Sequence, residues 1–149
     1  MGQEHLTAAL VKALQADTGL VLLTKHTTTN IRIGKDMPPV AERTPYVGVK
    51  VVTSPPLIPD TVTQLQNARI QFKAVSKEDL TATKVADRLE ALFHAASKAS
   101  NLGYWDASDG TVRFRSFRYV NRQGPEYDVE LKVFTVTVEA SCIWLDQAC

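Results

Sequence analysis

Cysteine, histidine and net charge are all scarce in this chain of 149 residues, and each scarcity removes a class of function. Two cysteines, Cys142 and Cys149, cannot make a disulfide framework or a cysteine-rich zinc set. They fall on one extended segment, too close to meet, so reduced thiols are expected. The three histidines, His5, His26 and His94, show no H-x-x-x-H spacing and no neighbouring cysteine, which leaves metal ligation unsupported. Gly34, Gly48, Gly103, Gly110 and Gly124 are isolated, so no phosphate-cradling loop is present. Carboxylates are scattered without an acid/base dyad, and Cys142 sits beside Ile143 and Trp144 in a strand pattern that predicts an inert buried thiol. No catalysis, cofactor or metal is expected.

Charge is nearly balanced, 17 Lys and Arg against 16 Asp and Glu, a formal +1 that removes the general attraction of a dedicated nucleic-acid or membrane-surface binder. No stretch of eighteen uninterrupted apolar residues occurs, and MGQEHLTAAL lacks a basic segment followed by an apolar run. Leu6 also departs from the serine or threonine of a myristoylation signal. A soluble chain made in a cytoplasm, without membrane association, is the expectation. The length suits one domain over 1–149.

What the sequence does have is concentrated between Asn67 and Ser97. Ala68, Ile70, Phe72 and Ala74 alternate with Arg69, Gln71 and Lys73, the period of a strand with one buried and one wet face. Ser76-Lys77-Glu78-Asp79 then has capping-box form with Asp in the fourth place. Leu80, Val85, Leu89, Leu92, Phe93 and Ala96 recur on one face of a following helix, with Lys84, Asp87, Arg88 and Glu90 on the other.

Around this centre, Leu6, Leu10 and Leu14 predict a helix over Glu4 to Ala16, with Gly19 as its left-handed cap. Leu20 to Thr24 is too short for a helix and is expected as a strand or buried connector. His26 to Pro45 is a long loop holding Met37-Pro38-Pro39. Tyr46 to Thr53 resumes a strand, and Ser54 to Asp60 breaks it with three prolines. Thr61 to Gln66 is expected to pair back as an extended ribbon with Leu57 and Ile58 exposed at its tip. Ser108-Asp109-Gly110 is a turn before a strand over Thr111 to Asn121, whose apolar phase slips and calls for a bulge near Ser116. Arg122-Gln123-Gly124-Pro125 is the expected hairpin turn into Tyr127 to Trp144. The fold class is therefore α+β: a mostly antiparallel β-sheet with two α-helices packed on one face, an extended β-ribbon and a long C-terminal hairpin.

Arg113, Arg115 and Arg118 form the densest basic run, interleaved with Phe114, Phe117 and Tyr119. A single-strand nucleic-acid stacking face is one reading of that pattern. The alternation favours the other, with aromatics inward and arginines on a solvated or intersubunit face.

In this order of elements the chain resembles the tail terminator, or tail-completion, proteins of long-tailed bacteriophages. The likeness lies in the leading helix Leu6 to Ala16, the Pro45-Tyr46-Val47 strand entry, the segment RIQFKAVSKEDLTATKVADRLEALFHAA and the closing strand pair, and it is weakest over Ser54 to Gln66. The resemblance implies a virion structural protein, assembled in the host cytoplasm. Its copies would form a ring, commonly of six, that closes the tail tube and presents its other rim to the head connector or stopper, while genomic DNA passes through the lumen without specific binding. A head-completion or stopper ring of the same neck is the nearest alternative, and a small nucleic-acid-binding module the next. On this reading Met37, Pro38, Leu57, Ile58 and Pro59 are expected to contact partner proteins, and Arg113, Arg115 and Arg118 to face a neighbouring subunit or the lumen.

Overall fold

The computed structural model describes residues 2–29, 31–35, 45–55, 65–99 and 104–146, apart from the side chains of 2–3 and 95–99. Three helices, α1 (Gly2–Gln15), α2 (Thr18–Thr24) and α3 (Asp79–Ala99), accompany strands β1 (Ile33–Lys35), β2 (Tyr46–Thr53), β3 (Leu65–Ser76), β4 (Val112–Asp128) and β5 (Val133–Asp146). The strands form one sheet in the order β1-β2-β3-β5-β4. Only the β1–β2 pair is parallel. The α+β class holds, with three helices where two were expected.

The central strand behaves as its period demands: Ala68, Ile70, Phe72 and Ala74 are all buried, while Arg69 points the other way. β5 repeats the pattern with Val136, Val138, Ala140, Cys142 and Trp144 inward. Onto this face α3 lays Ala82, Val85, Ala86, Leu89 and Phe93, and α1 lays Leu6, Ala9, Leu10 and Leu14, in one contiguous core. Phe93 is the hub of its aromatic part, with ring centroids 5.1 Å from Phe72, 5.0 Å from Trp105 and 4.8 Å from Phe117. Leu80, expected on the buried face of α3, is exposed in the first turn.

Two local readings are overturned. Leu20 to Thr24 is helical, because Asp17 caps the segment: its Oδ2 accepts from the Leu20 amide at 3.0 Å, and Lys25 closes the far end in the left-handed region at φ 58°. Gly19 is therefore inside α2 and not a cap. A Cβ there would lie 2.5 Å from Arg88 Nε, so the glycine lets α3's guanidinium reach Asp17. The second correction concerns the hairpin. β4 runs straight through Arg122-Gln123-Gly124-Pro125 to Asp128, and the turn is 129–132. Asp128 Oδ1 accepts from the Glu130 and Leu131 amides, and Lys132 adopts φ 56° while its amide donates to the Asp128 carbonyl at 2.7 Å. Gly124 and Pro125 instead occupy a bulge, where the glycine's φ of 101° and the Thr135 carbonyl, 2.7 Å from any added Cβ, admit no side chain.

The bulge expected near Ser116 is present: Phe114 opposes Trp144 and Ser116 opposes Ile143, leaving Arg115 as the extra residue. The capping box read at Ser76 is not the one formed: its Oγ accepts from the Glu78 amide at 3.1 Å in a local turn ahead of the helix, and Glu78 is the residue whose carbonyl starts α3 by accepting from Ala82.

Candidate assembly surfaces

Among the described residues the helices all lie on one side of the sheet, and the opposite face carries rows of polar side chains. Its rows run across the strands. Thr53, Arg69, Ser141 and Arg118 stand in one row, and Lys50, Gln71, Glu139 and Asn121 in the next. Glu139 is buried at the centre of this polar grid, receiving Arg69 Nη2 at 2.7 Å and Gln71 Nε2 at 3.2 Å. The guanidinium hydrogen bond holds the Glu139 carboxyl below its usual range; burial acts against it and Gln71 assists. A small apolar cluster of Tyr46, Val75 and Val133 occupies the end of this face nearest the hairpin turn.

Arg113 and Arg118 project from this helix-free face, opposite Leu145 and Ser141 of β5, and Arg115 projects from the bulge. All three are exposed and make no ion pair among the described residues. Arg122 differs, turning to α3, where it meets Asp87 at 2.5 Å and Glu90 at 3.2 Å. The interleaved aromatics are not a stacking platform. Phe114 and Phe117 are buried, and Tyr119 donates to Glu90 Oε1 at 2.5 Å, with burial and then the carboxylate beside it raising the phenol to about 12. Met37, Pro38, Leu57, Ile58 and Pro59 lie outside the described residues.

The described residues on either side of 56–64 are tied to the core. The buried Trp144 donates Nε1 to Ser54 Oγ at 2.9 Å, Ser54 donates to Gln66 Oε1 at 2.8 Å, and the Asn67 amide donates to the Pro55 carbonyl at 3.0 Å. The chain thus leaves and re-enters the sheet at a point fixed to the core.

The histidines hold backbone or pair locally. His26 Nδ1 accepts from the Arg32 and Ile33 amides at 2.9 and 3.2 Å, setting the turn into β1 and assigning its proton to Nε2. His5 Nδ1 lies 2.8 Å from Asp146 Oδ2, joining α1 to the end of β5. His94 packs its ring on Tyr119 at 5.2 Å. Cys142 is buried, and its thiol is pushed up to about 12 by that burial, which makes it unreactive.

Exposed apolar side chains gather at the hairpin turn: Tyr127, Val129 and Leu131 are all exposed, Val129 at 75%. A hollow of about 600 Å³ runs around the free edge of β4 near its start, lined by His94, Tyr104 and Tyr119 on the helix side and by Ser116, Arg118 and Ile143 on the other. Neither feature was legible as a site in the sequence. The alternation of Tyr127, Val129 and Leu131 reads there as more strand, and the hollow joins residues from α3, β4 and β5.

Comparison with known proteins is sparse in sequence and informative in fold. No protein-family model matches the chain, and no curated protein does. Among solved structures it is similar to a chain in the virion of the native gene transfer agent particle, with a TM-score of 0.63 over 94% of both chains and 14% sequence identity. The two share a fold. The correspondence takes in nearly the whole length of each chain, so it includes the sheet, the helices and the hairpin together.

Proposed function

We propose that this chain is a structural protein of a virion, a single domain whose copies close into a ring, six in the family it resembles, to terminate the tail tube and join it to the head connector. The observation that carries the reading is the end-to-end fold correspondence with a chain of a gene transfer agent virion. The surfaces support it. A ring subunit needs several separate contact regions on a rigid frame. The frame here is the single-core sheet, and the contact regions are the arginine end of β4, the hairpin turn and the ribbon rooted at Trp144.

On this reading the partners are further copies of the chain, the tail tube protein and the connector or stopper above it, with DNA passing through the lumen. A net charge of +1 suits a passage that must not retain the genome. Met37, Pro38, Leu57, Ile58 and Pro59 remain the proposed contacts to partner proteins. The test is electron microscopy of the purified protein alone and mixed with tail tubes. Rings seated on tube ends are expected; rings that bind isolated connectors but never tubes would move the assignment to the stopper position, and a monomer that ignores both would end it.

A further inference from the structure

The two ends of the β4–β5 hairpin are chemically opposite. At the start of β4, Arg113, Arg115 and Arg118 are exposed within six residues. The carboxylate nearest them in the adjoining hollow, Asp106, is engaged by the Ser108 amide and hydroxyl. At the other end Glu126, Asp128 and Glu130 are exposed beside the bare Val129 and Leu131, with Lys132 in the turn and Lys73 in the neighbouring groove as the local bases.

A strand rises about 3.3 Å per residue, and the partner strand runs from Ile143, opposite Ser116, to Val133, opposite Asp128, in ten steps, so the ends lie roughly 33 Å apart. That is several times the screening length of about 8 Å at physiological salt, so neither end senses the other within one chain. Complementarity between charges this far apart acts only between copies, not within one.

The free edge of β4 does not favour simple strand-to-strand pairing. Its ladder is broken between Phe114 and Ser116, Tyr119 and Asn121, and Gln123 and Glu126, and Pro125 has no amide to donate. The hollow around that edge, by contrast, is partly apolar and lined by Arg118, with Arg113 and Arg115 in the neighbouring hollow that shares Tyr104, and the turn is exposed, apolar and acidic.

We propose that the hairpin turn of one copy docks into the hollow at the arginine end of β4 on the next copy. The contact uses two different patches, so it is head-to-tail and generates a closed ring when its rotation completes a circle. It rests on the ring reading above only for that closure.

A charge exchange in the full chain tests it, read by analytical ultracentrifugation and by microscopy with and without tail tubes. The variants are R113E/R115E/R118E, acidic at both ends, and E126K/E130K, basic at both ends; Asp128 is kept because it caps the turn. Each alone is expected to lose assembly affinity by at least about tenfold, as rim charges removed from a complementary contact do, with unchanged circular dichroism. An equal mixture of the two, and a chain carrying both sets, is expected to recover the closed oligomer. Should the triple variant not fold, R118E with E126K serves as the exchange pair. Wild-type-like assembly of either variant alone, a mixture that does not recover, or recovery only of dimers overturns the contact. Rings that obey the charge exchange but ignore tubes keep the contact and defeat the tail role. Rings that cap tubes when either set of reversals is carried alone do the opposite.

Discussion

The two faces of the sheet are held by different physics. Under the helices, Phe72, Phe93, Trp105 and Phe117 form a dry aromatic cluster in which stability comes from area and packing. On the open side, Glu139 is just as buried but is surrounded by polar groups, and what holds it is the pairing of one carboxylate with Arg69 and Gln71. The first face tolerates no loss of volume and is indifferent to pH. The second responds to protons through Glu139.

That contrast predicts a ranking of substitutions. Phe72→Ala removes a fully buried ring from beneath α3 and is expected to cost about 3–5 kcal/mol in denaturant unfolding, the largest effect of the set. Asp17→Ala follows at about 2 kcal/mol, since one carboxylate both caps α2 and receives Arg88 at 2.6 and 2.9 Å. Glu139→Gln is expected to cost only about 1 kcal/mol, because Arg69 is more than half exposed and regains water when its partner is neutralised. Replacing Arg113, Arg115 and Arg118 together by Ala should move stability by no more than about 0.5 kcal/mol per site while weakening self-association.

A pH series sharpens the same comparison. The Arg88 hydrogen bond holds Asp17 below its ordinary 3.8, and Arg69 holds Glu139 below 4.5. Both folded values are depressed, so the stabilisation is present above the ordinary values and is lost as pH falls through the folded ones. Unfolding free energy is therefore expected to decline from about pH 4.5 downward. The decline should flatten in the Asp17→Asn/Glu139→Gln double variant and persist in Phe72→Ala; equal slopes in all three would refute the assignment of acid sensitivity to these pairs.

Legibility in the sequence followed the same division. Where one face is buried and the period is clean, as from Ala68 to Ala74, the strand, its inward set and the helix after it read directly, and the slip of phase at Ser116 located a real bulge. Elements defined by a single side chain did not read. α2 exists because Asp17 caps a seven-residue segment too short to show a helical period, and the hairpin turn is made by Asp128 and Lys132 without glycine or proline. The Gly124-Pro125 pair looked like that turn because bulges and turns draw on the same residues. Of the candidate site, the arginines were legible as a dense run. Their apolar, acidic counterpart was not, since Glu126, Asp128 and Glu130 acquire meaning only at the end of a strand whose length the sequence understated.

The irregular edge of β4 has a further consequence, for the time before any particle exists. A long, regular free strand would invite copies of the chain to stack without limit. Three breaks in the ladder and a missing donor at Pro125 make this edge a poor template for another strand. The proposed contact between hairpin turn and hollow differs from strand stacking in having a definite angle, so that growth through it stops when the proposed circle is complete.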